Sequence, residues 1–177
     1  MTEEYFFDTD CISAFLWIKN ESILERLYPG RIVLPMQVYE EIKKVPPLLQ
    51  RVETMKSRGS LMIESIMADS EEYKQYCSMA ISPASGQKLI GKGEAACIVL
   101  AKKYDGVLSS NNLRDIMPFV DKYKLKHITT GDILVEALRQ GIITESEGNV
   151  MWGNMLLKKR MLPTSSFSEY INRFVES

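Results

Sequence analysis

The chain has 177 residues, enough for one domain with a full hydrophobic core and short for two. Hydrophobic residues at 45% and charged residues at 25% are ordinary globular proportions, which excludes wholesale disorder. A net charge of −1 excludes a protein-wide basic field, so any contact with nucleic acid has to come from local patches.

Residues 4–8 read as a buried strand and Ile12 to Leu27 as one amphipathic helix. After Pro29-Gly30 comes a second short strand, Arg31 to Leu34. Pro35 opens a helix to about Lys44, as proline favours first-turn positions. Pro46-Pro47 interrupts, and a helix from Leu48 to Arg58 ends at Gly59. The spacing then predicts a strand over 61–66, a helix over 70–81 and a loop of small residues over 82–93. Glu94 to Tyr104 is a helix, 106–110 a strand, Asn111 to Tyr123 mostly helix, and 127–129 the last strand. A helix over 130–141 takes Thr130 as its cap and Gly141 as its stop. Residues 144–177 read as two helices broken at Pro163.

Strands alternating with helices imply an α/β fold whose parallel sheet is covered on both faces. The expected organisation is a domain over 1–143, with 144–177 a helical extension packing on that same domain. Cys11, Cys77 and Cys97 lack any CxxC spacing and suit reduced, buried positions. The start MTEEYFF lacks the basic opening of a signal peptide. The longest unbroken apolar run, Ala95 to Ala101, is too short to span a bilayer. A soluble cytoplasmic protein with no membrane contact is expected.

Four polar positions fall just after a strand or at a helix start: Asp8, Glu40-Glu41, Glu94 and Asn111-Asn112. In open α/β sheets that edge is where ligands bind. A hard cation such as Mg²⁺ takes oxygen ligands, usually one or two carboxylates with water and phosphate. Each position also has a plain explanation. Glu94 is favourable at a helix start, Glu41 can face solvent beside a lysine, and Asp10 suits a helix cap. Asp8 resists such an explanation, because a carboxylate directly after a buried strand needs a partner.

Taken in order, FFDTDCIS, LPMQVYEEI, GKGEAACIVLA and VLSSNNLRDI resemble the PIN-domain family of metal-dependent ribonucleases. TTGDILVEALRQGII resembles that family's closing helix, and the resemblance spans about residues 4–143. It implies a three-layer α/β/α fold with a central parallel sheet. It also implies an endoribonuclease that hydrolyses RNA phosphodiester bonds with Mg²⁺ or Mn²⁺ held by Asp8, Glu41 and Glu94. Glu41 is preferred to Glu40 because Val38 and Ile42 then take the core-facing positions. Thr9 and Asp10 stand where the family often carries a supporting polar residue.

Where many members have aspartates, this chain has Asn111 and Asn112, as do some VapC-type toxins in a stretch close to SNNLRDI. Asparagine offers a carbonyl oxygen to a metal or orients a water, but it brings no charge, so a second metal site would be weakened. Asp115 is expected to support the site rather than to ligate. The likeness to VapC-type relatives further implies an antitoxin protein partner and a homodimer. For the RNA backbone, Lys88 and Lys92 precede Glu94 and are the preferred cations. Lys158-Lys159-Arg160 in the tail form a second basic run, of the kind usually found as solvated surface.

Two alternatives stand beside this one. A PIN fold that has lost its chemistry and serves as a binding module would suit the asparagine pair. A haloacid-dehalogenase-type phosphatase would use Asp8 as nucleophile and Asp10 as general acid. Against the phosphatase, Ile12 replaces the usual Thr or Val and a helix pattern follows at once.

Overall fold

The computed structural model describes residues 2–176. Among them, β1 (Tyr5–Phe7), β2 (Ile32–Pro35), β3 (Leu61–Glu64), β4 (Val107–Ser109) and β5 (Lys126–Ile128) form one sheet, in the order β3-β2-β1-β4-β5. Every neighbouring pair is parallel. Parallel neighbours need crossover connections, which helices supply on both faces, so the expected three-layer α/β/α arrangement is the one observed. The central strand is apolar because nothing around it is wet: Phe6 and Phe7 are both fully buried, one on each face of the sheet.

The sequence places one long helix after β1, but two form, α1 (Thr9–Trp17) and α2 (Ser22–Leu27). The chain turns between them with Lys19 at φ 59°. The amides of Lys19 and Asn20 close the turn on the carbonyls of Leu16 and Phe15. After β2 comes α3 (Met36–Lys43), with Pro35 just before it. The chain breaks between helices here as expected, but Pro46-Pro47 itself begins the second, α4 (Pro46–Ser57), where the missing amide hydrogens cost nothing. Next are α5 (Glu71–Ala80), capped by Ser70, and α6 (Lys92–Tyr104). The helix after β4 starts later than expected, as α7 (Leu113–Tyr123), leaving Asn111 and Asn112 outside it.

α8 (Thr130–Arg139) is capped by Thr129 rather than Thr130, its hydroxyl receiving the Asp132 amide at 3.2 Å. Thr130 is instead buried. Gly141, at φ +72°, ends that segment as expected. The tail is α9 (Glu145–Leu157), a turn through Pro163, and α10 (Phe167–Tyr170), which runs into a π-helical turn over Ile171–Val175. Trp152 is fully buried between Phe167 and Tyr170, with ring centroids 6.0 and 5.3 Å away. Its indole donates to the Thr164 carbonyl at 2.9 Å. Gly131 admits this packing: a Cβ there would lie 2.3 Å from Cζ of Tyr170. Cys11 and Cys97 are buried free thiols, whereas Cys77 is only half-buried. No helix of the described residues is long and apolar enough to cross a membrane.

This order fixes where a site can form. From β1 the chain builds outward through β2 and β3, then returns to the other side of β1 for β4 and β5. The order reverses between β1 and β4, which opens a crevice at their C-terminal ends. Asp8 follows β1 and Asn111-Asn112 follow β4 at that point. Helices return antiparallel to the strands, so the start of α6, with Glu94, lies on the same edge.

Candidate active site

Asp8 sits at the end of β1, its amide donating to the Ser109 carbonyl across the β1–β4 boundary at 3.0 Å. It is also the cap of α1, accepting the Cys11 amide at 2.8 Å. Asp10, the residue expected to cap, stays outside: its side chain is 71% exposed and faces Arg160 at 3.8 Å. The sequence picture of one carboxylate ending a strand and another starting a helix therefore collapses onto Asp8 alone. Burial pushes the Asp8 carboxyl up to about 7, against the opposing effect of hydrogen bonds from Ser110 and Cys11. The nearby charges of Asp10 and Glu94 push the same way as burial.

Glu41 and Glu40 part company as helix geometry dictates. Glu40 is exposed and pairs with Lys43 at 3.1 Å. Glu41 turns inward, where the Thr9 hydroxyl donates to it. Gly93 lets α6 come close enough to meet this pair: a Cβ there would stand 3.1 Å from Val38 Cγ2, 3.4 Å from Thr9 Oγ1 and 3.6 Å from Glu41 Oε1.

Glu94 occupies the first turn of α6, where its carboxylate accepts the Gly91 amide at 3.2 Å. That is the plain capping role. Its other oxygen accepts from the Asn112 side-chain amide at 2.6 Å. Burial raises its carboxyl, Asn112 and Gly91 oppose that, and Asp115 and Asp10 add to it.

The two asparagines are used differently. Asn111 is spent on the scaffold: it donates to the Thr130 hydroxyl and accepts the Thr130 amide, both at 2.8 Å. Asn111 therefore ties the end of β4 to the start of α8, a use the sequence did not suggest. Asn112 gives its amide hydrogens to two acids, Glu94 at 2.6 Å and Asp115 at 3.0 Å. Asp115 in turn lies 3.8 Å from Lys88, whose side chain is 70% exposed. Lys92 is the exposed first residue of α6. His127 donates from Nε2 to the Ser110 carbonyl, 3.1 Å away, and so braces the same loop.

Asp8, Glu41 and Glu94 thus line one cavity of about 150 Å³ together with Thr9, Asp10, Gly91 and Gly93. The donor set is all oxygen, which suits a hard divalent cation. Among the described residues, however, no three acids stand close enough together to share a metal ion. Each carboxylate is instead engaged by a hydrogen bond: Asp8 by Cys11, Glu41 by Thr9, Glu94 by Gly91 and Asn112. The residues fit the ion in chemistry and in the cavity they face, and would have to leave some of those bonds to converge on it. The phosphatase arrangement fits worse. It needs Asp8 and Asp10 working side by side, and here one is buried in a cap while the other points out to an arginine.

A family model for the PIN domain matches residues 4–176, so the fold and this edge define a nuclease-type α/β protein. The chain belongs to the PIN-domain family, whose members are generally metal-dependent ribonucleases using Mg²⁺ or Mn²⁺. The match runs on through the tail, beyond the motifs that carried the resemblance in the sequence. No curated protein matches the chain.

Proposed function

We propose that this protein is a metal-dependent endoribonuclease, with Asp8, Glu41 and Glu94 holding one Mg²⁺ or Mn²⁺. The observation that carries this is Asp8: a carboxylate buried beside other acids and pushed up to about 7 is a group that a bound cation would relieve. A bound divalent ion supplies an acidified water and a Lewis acid for the phosphoryl oxygens. The chain's own residues do the rest. Thr9 orients Glu41, Gly91 and Asn112 orient Glu94, and Cys11 holds Asp8. Asn112, through its two bonds, keeps Glu94 and Asp115 from repelling one another. Asn111 acts at one remove, by anchoring the loop that carries Asn112.

The test is cleavage of single-stranded and structured RNA with Mg²⁺ and with Mn²⁺, using Asp8→Asn and Glu94→Gln as controls. Metal-dependent cleavage lost in both variants is the expected result. Cleavage that persists in folded Asp8→Asn sinks the assignment.

One observation favours a second reading, a PIN-fold binding module without chemistry. Asn112 bridges two acids as an uncharged clasp, doing in part what a cation would do. Folded wild-type protein that binds RNA but shows no metal binding by calorimetry would select this alternative.

A further inference from the structure

The basic run in the tail has a position that its sequence does not announce. α9 packs on α1 and α8, and Arg160, just past its end, comes within 3.8 Å of Asp10. Lys159 and Arg160 line a cavity of about 300 Å³ together with Asp10, Asn111, Asn112 and Met161. That cavity shares Asp10 with the acidic one. On its far side it shares Asn111 and Met161 with a larger, more apolar cavity of about 510 Å³, whose walls include Leu113, Met117, Tyr170 and Phe174. Acids, cations and an apolar hollow thus adjoin one another in that order.

Resting on the ribonuclease proposal above, we propose that the tail builds a nucleotide subsite. Lys159 and Arg160 take a phosphate neighbouring the one cleaved, and the apolar cavity beyond Met161 takes its base. Single-stranded RNA is the occupant, because only an unpaired base is free to enter such a cavity.

The cations are positioned. Lys159 stands at φ 63°, and the end of α9 closes with the Arg160 amide on the Met155 carbonyl at 3.0 Å. Lys158 lies over the Trp17 ring, 5.5 Å from its centroid. Lys159 has no ion-pair partner among the described residues. Arg160 is held by its Nε donating to the Lys158 carbonyl at 3.1 Å, and its Nη1 lies 3.8 Å from the exposed Asp10, a contact weak enough to yield to a phosphate oxygen. The apolar wall is left in water: Met161 is 89% exposed and Phe174 52%. The Phe174 ring packs on Tyr170, centroids 4.9 Å apart, with Arg173 5.5 Å over it. The ring's remaining exposed surface and the Met161 thioether offer a base an apolar wall next to the cations' cavity. Lys88, by contrast, faces Asp115, on the other side of Asn112.

The test separates this subsite from the chemistry. Binding of a short fluorescent single-stranded RNA is measured over a salt series in EDTA, with Asp8→Asn as the parent so that nothing is cut. Lys159→Ala with Arg160→Ala should weaken binding about 10-fold or more and flatten the plot of log affinity against log salt by about 0.7 per cation removed. Phe174→Ala should weaken binding about 10-fold with the slope unchanged. Arg160→Lys should keep most of the slope, and unfolding temperatures within the range of the parent show that the tail is still folded. Parent-like affinity and slope in the double alanine variant overturn the subsite, as does a parent that binds no RNA. Weakened binding in the variants alongside a wild type that never cleaves leaves the subsite standing and removes only the nuclease proposal.

Discussion

The acidic edge and the tail solve opposite problems. At the edge, polar groups are buried on purpose: Asp8 is 2% exposed and pushed up to about 7. In the tail the buried groups are apolar or satisfied, with Trp152 enclosed by Phe167 and Tyr170, while the charges of Lys159 and Met161's side chain face outward. One region holds its residues under electrostatic cost and the other under close packing. Cost localised at a strand end points to chemistry, whereas packing points to support, and the two meet where Arg160 reaches Asp10 and where Lys159 and Met161 share a cavity with Asn111 and Asn112.

The sharpest way to break the contrast is to empty the tail's centre. Trp152→Ala should destabilise the fold by about 3–5 kcal/mol, seen as a lowered midpoint in urea unfolding. Next in size is Asp8→Asn, which should lower RNA cleavage about 100-fold or more, since groups that only brace a metal ligand already cost roughly 10–100-fold. The same variant should be more stable than wild type at pH 8 without metal, by up to roughly 4 kcal/mol. The sign follows from Asp8's folded value of about 7 against the ordinary 3.8 of an aspartate. The folded chain holds this proton more tightly than the unfolded chain, so its stabilising effect is complete at low pH and is lost as pH rises through about 7. Wild-type stability should therefore fall between about pH 4 and pH 7 on this account, and Asp8→Asn, which can still cap α1, should remove that fall. Thermal melts of both proteins across that range decide it.

Smaller changes sharpen the comparison at Asn112. Asn112→Asp sets a third carboxylate against Glu94 and Asp115, and should cost about 1 kcal/mol without metal while tightening Mn²⁺ binding in calorimetry. Equal Mn²⁺ affinity in that variant would show that position 112 lies outside the ion's reach. Smallest of all, Arg160→Ala should shift stability by less than about 1 kcal/mol, because its partner Asp10 is exposed.

Much of the edge was legible in the sequence because period and polarity agree there. A strand that buries both faces must read as an apolar run, and YFF does, so the acid that follows it stands out. Glu41 was separable from Glu40 because Val38 and Ile42 mark the buried face of α3. Local alternatives were harder. Thr129 and Thr130 are equal cap candidates by type, and only the Asp132 side chain returning to the Thr129 amide at 2.9 Å distinguishes them. The break after Trp17 hides at Lys19, a lysine in a left-handed turn with no glycine to announce it. Asn111 was illegible for a different reason. Its partner Thr130 is 19 residues away at the start of α8, and no local pattern encodes that contact. The same holds for Arg160, which lies next to Asp10 only because α9 returns along the domain.

Asp8's double duty at the strand end has a consequence for how any cation would be weighed in solution. Its carboxyl, pushed up to about 7 by burial, keeps its hydrogen ion to far higher pH than an ordinary aspartate does. A cation that settles there must evict that hydrogen ion, and the buffer has to absorb it. Apparent affinity should therefore climb with pH, and the heat recorded should differ between buffers of high and low ionisation enthalpy. Two laboratories titrating the same protein in different buffers would report different enthalpies for one event, and the difference between them would count the protons that Asp8 gives up.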